Sequence, residues 1–186
     1  MFRSIASLFT SSLLGRIIGF FRFQLLVYLF SQSQFTDNII YTTTMIWTIN
    51  NFFVVPTVNK SLIADLSNLS ADYHSSIIWY TLKNAVRSGI FAGLVAIGIV
   101  LLFQAIGSGI SFSILELFLI LLIILGLGIN EVFSLFNQFK KRYFLYALNP
   151  GVWNLILIFG IATMWIFTDK ALYIYLLFML FSILTT

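Results

Sequence analysis

The sequence has no cysteine, which rules out disulfides, thiolate metal sites and thiol nucleophiles. Histidine is nearly as scarce. The single one, His74, has no second His, Cys or paired carboxylate at ligand spacing and reads as a solvated residue rather than a metal ligand. Charge is also in short supply: Asp, Glu, Lys and Arg make up 9% of the 186 residues, whereas an ordinary soluble domain carries about 25%. No nucleophile triad, glycine-rich phosphate loop or paired-carboxylate motif occurs, so neither an enzyme nor a bound cofactor is expected. The ten Lys and Arg residues give a net charge of +4 but are dispersed along the chain, which argues against a nucleic-acid partner.

What the sequence does have is apolar surface, with 60% hydrophobic and 18% aromatic residues. In a soluble domain of this size most residues still touch water, and so many Phe, Leu and Ile side chains could not be covered. The expectation is an all-α, multi-pass membrane protein. Six segments approach the roughly 20 apolar residues that cross a bilayer: 5–30, 38–58, 84–106, 112–137, 145–168 and 171–186. Together they predict a single six-helix bundle with a polar connection over 59–83. The first segment is too long for a signal-peptide core and no A-x-A pattern follows it, so it reads as a retained span. The sixth is short and runs into the C-terminus without a polar flank, as though the chain were one half of a longer architecture.

Basic residues accumulate on the cytoplasmic side of short loops. Arg3, Lys60, Lys83, Arg87, Lys140, Lys141 and Arg142 fall on one side of the expected topology, against Lys170 alone on the other beside Asp37, Glu116 and Asp169. This asymmetry places both termini in the cytoplasm. In the connection after the second span, Leu62, Ile63, Leu66 and Leu69 recur at helical spacing between Lys60, Asp65, Asn68 and Asp72. That pattern fits an amphipathic helix at the interface and equally a solvated continuation of the second helix.

The first span, "LLGRIIGFFRFQLLVYLF", holds Arg16 and Arg22 in its interior. At about 1.5 Å per residue, Arg16 lies about 16 Å from the inner end and Arg22 about 9 Å further out. A guanidinium near the centre of a membrane helix costs about 2.5–3.5 kcal/mol on insertion scales, so it calls for a partner, a wet cavity or a ligand. Six residues correspond to about 120° of net rotation, so the pair can line a wide cavity but cannot share a narrow contact. Satisfaction by carboxylates or backbone carbonyls, with no ligand, is the competing reading.

Gly15 and Gly19 form a G-x-x-x-G around Arg16, which favours close helix packing over a ligand role. Glu131 is the other charge inside a span, about 13 Å from the cytoplasmic boundary, a depth at which it could pair with Arg16 or line the same cavity. Partners in the backbone or among nearby Ser and Asn would serve it equally. Asp37 opens the second span, where a helix N-cap is a simpler reading than a gating role. Pro150 reads as a first-turn proline of the fifth span, and Asn154 follows on the same face, able to hydrogen-bond across the bundle.

The stretch "SLLGRIIGFFRFQLLVYLFSQSQFTDNII", with "SLIADLSN" beyond the second span, resembles the opening of the MurJ/MviN family, the lipid II flippases of the multidrug/oligosaccharidyl-lipid/polysaccharide exporter superfamily. "LFNQFKKRYFLYALNPGVWNLILI" resembles that family's N-x-x-x-R-F segment followed by P-x-x-x-N. The resemblance implies that the chain is like an N-terminal six-helix lobe of such a flippase, in a bacterial cytoplasmic membrane. A basic cavity there would take a lipid-linked glycan pyrophosphate such as a peptidoglycan precursor. Arg16 and Arg22 match the family's basic residues of the first helix, and Asp37 matches its acid at the start of the second. The chain departs from the pattern in three places: Phe23 stands where an acid usually follows the second arginine, Asn50 and Asn51 replace a basic pair, and Val55 and Pro56 replace E-G.

By this likeness Arg16 and Arg22 would bind phosphates, Asn50 and Asn51 would hydrogen-bond sugar, and the lipid tail would stay in the bilayer. Gly15, Gly19, Asp37, Glu131 and Asn154 would shape or gate the cavity. Alternating access needs two lobes rocking about a shared site, so a second lobe or partner membrane subunit is implied. Two other readings are a non-transporting subunit that docks on a membrane partner, and an ion-coupled exporter of small molecules.

Overall fold

Apolar stretches of this kind satisfy their own amides by coiling, because an extended backbone would leave polar groups facing side chains that cannot bond them. The computed structural model describes residues 2–30, 34–59, 74–107, 112–139, 143–166 and 171–185. No strand occurs among them. Six helices follow in order: α1 (Phe2–Phe30), α2 (Gln34–Ile49), α3 (His74–Ala105), α4 (Ile114–Phe139), α5 (Tyr143–Ile166) and α6 (Ala171–Thr185). α2 runs directly into a π-helical turn, Asn50–Val54, and α-helical geometry resumes over 55–59. Among the described residues, three stretches are long and apolar enough to cross a membrane: Leu13–Phe30, Ser76–Ala105 and Ile114–Asn137. Gly151–Ile166 and Leu172–Thr185 are shorter apolar helices.

The all-helical class and the six-helix count agree with the expectation, and several boundaries move. α3 starts at His74, ahead of the apolar span expected from 84, because its first turns already have two faces. Ile77 and Thr81 are buried while Trp79, Tyr80 and Lys83 are exposed, a helical alternation that the loop reading of 59–83 overlooked. The Lys83 ammonium also lies 5.5 Å from the Trp79 ring centroid, one turn away.

α5 begins at Tyr143, so Pro150 is its eighth residue and not a first-turn proline. The apolar run "YFLYAL" extends the helix back beyond it, and membrane helices tolerate such interior prolines. Asp37 is the fourth residue of α2 and no N-cap, although a carboxylate in the first turn still complements the helix dipole. The amphipathic pattern over 60–72, the basic triplet 140–142, Asp169 and Lys170 lie outside the described residues, as do the side chains of Arg3 and His74.

The chain divides into two compact units: Met1–Thr42 with Phe136–Thr186, and Thr43–Leu135. In the first, α1 packs along α5, and α5 along α6. Leu26, Trp153, Leu157, Ile161, Met164, Leu176 and Met179 are buried there. Gly160 lets α6 approach closely, since a Cβ on it would lie 2.8 Å from Phe178 Cβ and 2.9 Å from Cγ. Ser182, fully buried on α6, spends its hydroxyl on the Met179 carbonyl at 2.7 Å.

In the second unit, α3 and α4 run antiparallel, and the glycines give the register. A Cβ on Gly93 would meet Leu121, one on Gly89 would meet Leu125, and one on Gly128 would lie 3.4 Å from the Ala85 carbonyl oxygen. Gly128 also faces the π-helical turn, with Val54 Cγ1 2.9 Å from its Cβ position. The Phe53 and Phe91 rings meet edge to face at 5.5 Å. That contact fits antiparallel helices, because side chains lean towards the N-terminus of their own helix and so converge. α4 opens with a capping box. The Ser113 amide donates to Glu116 Oε2 at 2.8 Å, and the Glu116 amide donates to Ser113 Oγ at 3.3 Å. α3 closes on Gly107, whose φ of 79° is the left-handed conformation that ends helices.

Candidate functional site

The arginine-bearing helix is positioned by a glycine contact. Gly15, Gly19, Arg22 and Leu26 recur at i, i+4, i+7 and i+11, one stripe of α1. Against it, Asn154 of α5 donates Nδ2 to the Gly15 carbonyl at 3.2 Å, and a Cβ on Gly19 would sit 3.2 Å from that same nitrogen. Gly151 faces Ile18, whose Cδ1 would lie 3.9 Å from a Cβ there. The G-x-x-x-G therefore does what small residues do in membrane helices: it admits a neighbour closely enough for a polar side chain to reach backbone. Asn154, expected to bond across the bundle, does so.

Arg22 lies on this packed stripe and is half-buried. Arg16 falls on the flank and is exposed, together with Leu13, Ile17 and Phe20. Within this unit no described carboxylate pairs with either guanidinium; Asp37 is exposed on α2. Only 11% of Leu13–Phe30 is buried, so most of the α1 surface is open in this chain. Arg16 and Glu131 belong to different units, and the pairing suggested between them remains an expectation.

In the second unit the expected asparagine pair divides. Asn50, at the start of the π-helical turn, is 3% exposed and its Oδ1 has no hydrogen-bond partner, whereas Asn51 is exposed. A π-turn makes room for one extra residue and often marks a functional position in a membrane or soluble helix. The Val55 amide donates to the Asn50 carbonyl, the i+5 bond of that turn. An unpaired buried acceptor costs about 1–3 kcal/mol, so an uncompensated Asn50 Oδ1 is a notable feature.

Three further groups escaped the sequence reading, the first being Thr36 of α2, buried with no partner for Oγ1. Thr81 is fully buried with no partner for Oγ1, and Asn59 buries an unpartnered Oδ1. Glu131, on α4, is half-buried and bonded to no described residue of its unit. The S-x-x-E of Ser113–Glu116 was readable as a helix start and was also missed. Thr81 was not readable, because a lone hydroxyl in an apolar helix does not disclose which face it takes. Among the described residues no group of three His, Cys, Asp or Glu could hold a metal ion.

No family model, curated protein or solved structure matches the chain.

Proposed function

We propose that the chain is the N-lobe-like part of a flippase that moves a polyprenyl-pyrophosphate-linked glycan across a bacterial cytoplasmic membrane, with both termini in the cytoplasm. One observation carries this reading: an apolar helix holds two guanidiniums that no described carboxylate of its own unit neutralises. A sugar diphosphate cannot enter hydrocarbon unaided, since burying an unpaired charge is prohibitively costly. Fixed arginines facing a wet cavity replace the lost hydration with charge-assisted hydrogen bonds. Arg16 and Arg22 are assigned to the phosphates. Asn154 and the two glycines hold α1 at a fixed depth against α5. A negative-inside potential favours outward movement of an anion by about 2.3 kcal/mol per charge per 100 mV, so the cycle needs no nucleotide.

The open surface of α1 favours a second reading, a membrane subunit that docks on a partner through that face. One comparison separates the two. Arg16→Gln and Arg22→Gln chains are expressed in cells depleted of the wild-type chain, with assembly followed by native gel and lipid-linked precursors by mass spectrometry. The flippase reading expects both variants to assemble normally while precursors accumulate. Loss of assembly supports docking, and normal precursor levels in the depleted cells themselves remove the transport reading.

A further inference from the structure

α3 is longer than a bilayer needs. Its 32 residues extend about 48 Å, whereas hydrocarbon about 30 Å thick takes about 20. The surplus lies at its start. Leu101, Leu102 and Phe103 are exposed and apolar to within about one turn of the stop at Gly107, and about 20 residues counted back from Ala105 reach Val86. The exposed face of the helix changes composition at that point. Beyond Val86 it presents Ile90, Phe91 and Leu94; before it stand Trp79, Tyr80 and Lys83, with Arg87 at the junction. At 3.6 residues per turn, Trp79, Tyr80, Lys83 and Arg87 fall within about 100° of arc, so they form one patch. The opposite side of these turns, Ile77, Thr81 and Ala85, is buried. The Trp79 ring, 5.5 Å from the Lys83 ammonium, holds that charge within the patch. α3 contains no Asp or Glu, and no described carboxylate pairs with Lys83 or Arg87.

We propose that this patch binds the headgroup of an anionic phospholipid in the leaflet that surrounds the start of α3. Trp and Tyr rings settle at the level of lipid headgroups. Arg87 can carry its guanidinium outwards along its own alkyl stem. Two cations about 6 Å apart along the axis then meet the phosphate that lies at that depth. Two unneutralised positive charges select an anionic headgroup over a zwitterionic one, whose own ammonium they repel. The patch uses no residue of α1. It rests on α3 crossing a bilayer and not on what the chain transports.

Native mass spectrometry of the purified full-length chain, equilibrated in detergent with graded phosphatidylglycerol or phosphatidylcholine of the same acyl chains, reads both bound lipid and the number of chains. The wild type is expected to bind phosphatidylglycerol in preference to phosphatidylcholine. A cation beside an anionic lipid surface changes affinity about fivefold. Lys83→Gln and Arg87→Gln are therefore each expected to weaken phosphatidylglycerol binding about fivefold, and the double substitution about 25-fold, with phosphatidylcholine binding unchanged. Lys83→Arg, which keeps the charge, and Lys170→Gln, which removes a charge outside α3, are expected to bind as the wild type does. Equal binding of the two lipids by the wild type overturns the proposal. A preference for phosphatidylglycerol that the double substitution leaves intact overturns it as well, and so does a dimer that the double substitution dissociates, since a second copy would then cover the patch.

Discussion

The contact between Asn154 and the glycines of α1 makes a double-mutant cycle decisive. A methyl group on Gly19 would stand 3.2 Å from Asn154 Nδ2, and that nitrogen must then retreat by a few tenths of an ångström. Its bond to the Gly15 carbonyl is already 3.2 Å long, so the retreat takes it to the limit at which such a bond counts. Interhelical hydrogen bonds in membranes are worth about 0.6 kcal/mol on average and up to about 1.7. Alanine returns about 0.8–1.0 kcal/mol over glycine in a helix interior. Gly19→Ala should therefore be close to neutral, or destabilising by up to about 1 kcal/mol, in the wild-type chain. In an Asn154→Ala background nothing remains to be displaced, and the same substitution should stabilise by about 1 kcal/mol. The coupling is thus about 0.6–1.7 kcal/mol, measurable by reversible unfolding in mixed micelles. An equal effect of Gly19→Ala in both backgrounds would refute the placement of the amide in the glycine groove.

Two glycines facing neighbours should differ in their tolerance of alanine. Gly160→Ala drives a methyl group against Phe178 Cβ and Cγ, atoms fixed to the α6 backbone, so the helices must part and about 1–3 kcal/mol is lost. Gly93→Ala meets the end of the Leu121 side chain, with Leu121 Cα at an ordinary 3.5 Å, and a change of rotamer should leave stability within about 1 kcal/mol of wild type. Thermal unfolding ranks the two, and a Gly160→Ala chain at least as stable as Gly93→Ala would contradict the close α5–α6 packing. Ser113→Ala removes the capping box of α4 and should cost about 1 kcal/mol. Faster amide exchange over residues 113–117, with α5 and α6 unchanged, is the expected signature.

Much of the fold was legible because hydropathy and length alone decide it. Runs of Phe, Leu and Ile near 20 residues have few alternatives to a helix, and six were counted at close to their observed positions. The boundaries that moved did so where polar and apolar residues alternate, at the start of α3, or where a proline was taken as a start signal, in α5. The candidate site was legible only in part. Arg16, Arg22 and Glu131 declare themselves by their charge in apolar surroundings, and Asn154 by its position on the proline face. Asn50 and Asn51 looked equivalent, yet the helix turns one into the interior and the other out.

By itself the sequence determined the helical class, the exclusion of thiol chemistry, and the presence of two guanidiniums and a carboxylate within apolar spans. Tertiary structure decided which stripe of α1 meets α5, that Asn154 reaches the Gly15 carbonyl, and that Thr81 is buried. The reason is physical. A helix apolar on every side carries almost no periodic signal to say which face is inward, so its orientation is settled by where glycines allow backbones to approach and where lone polar groups come to rest.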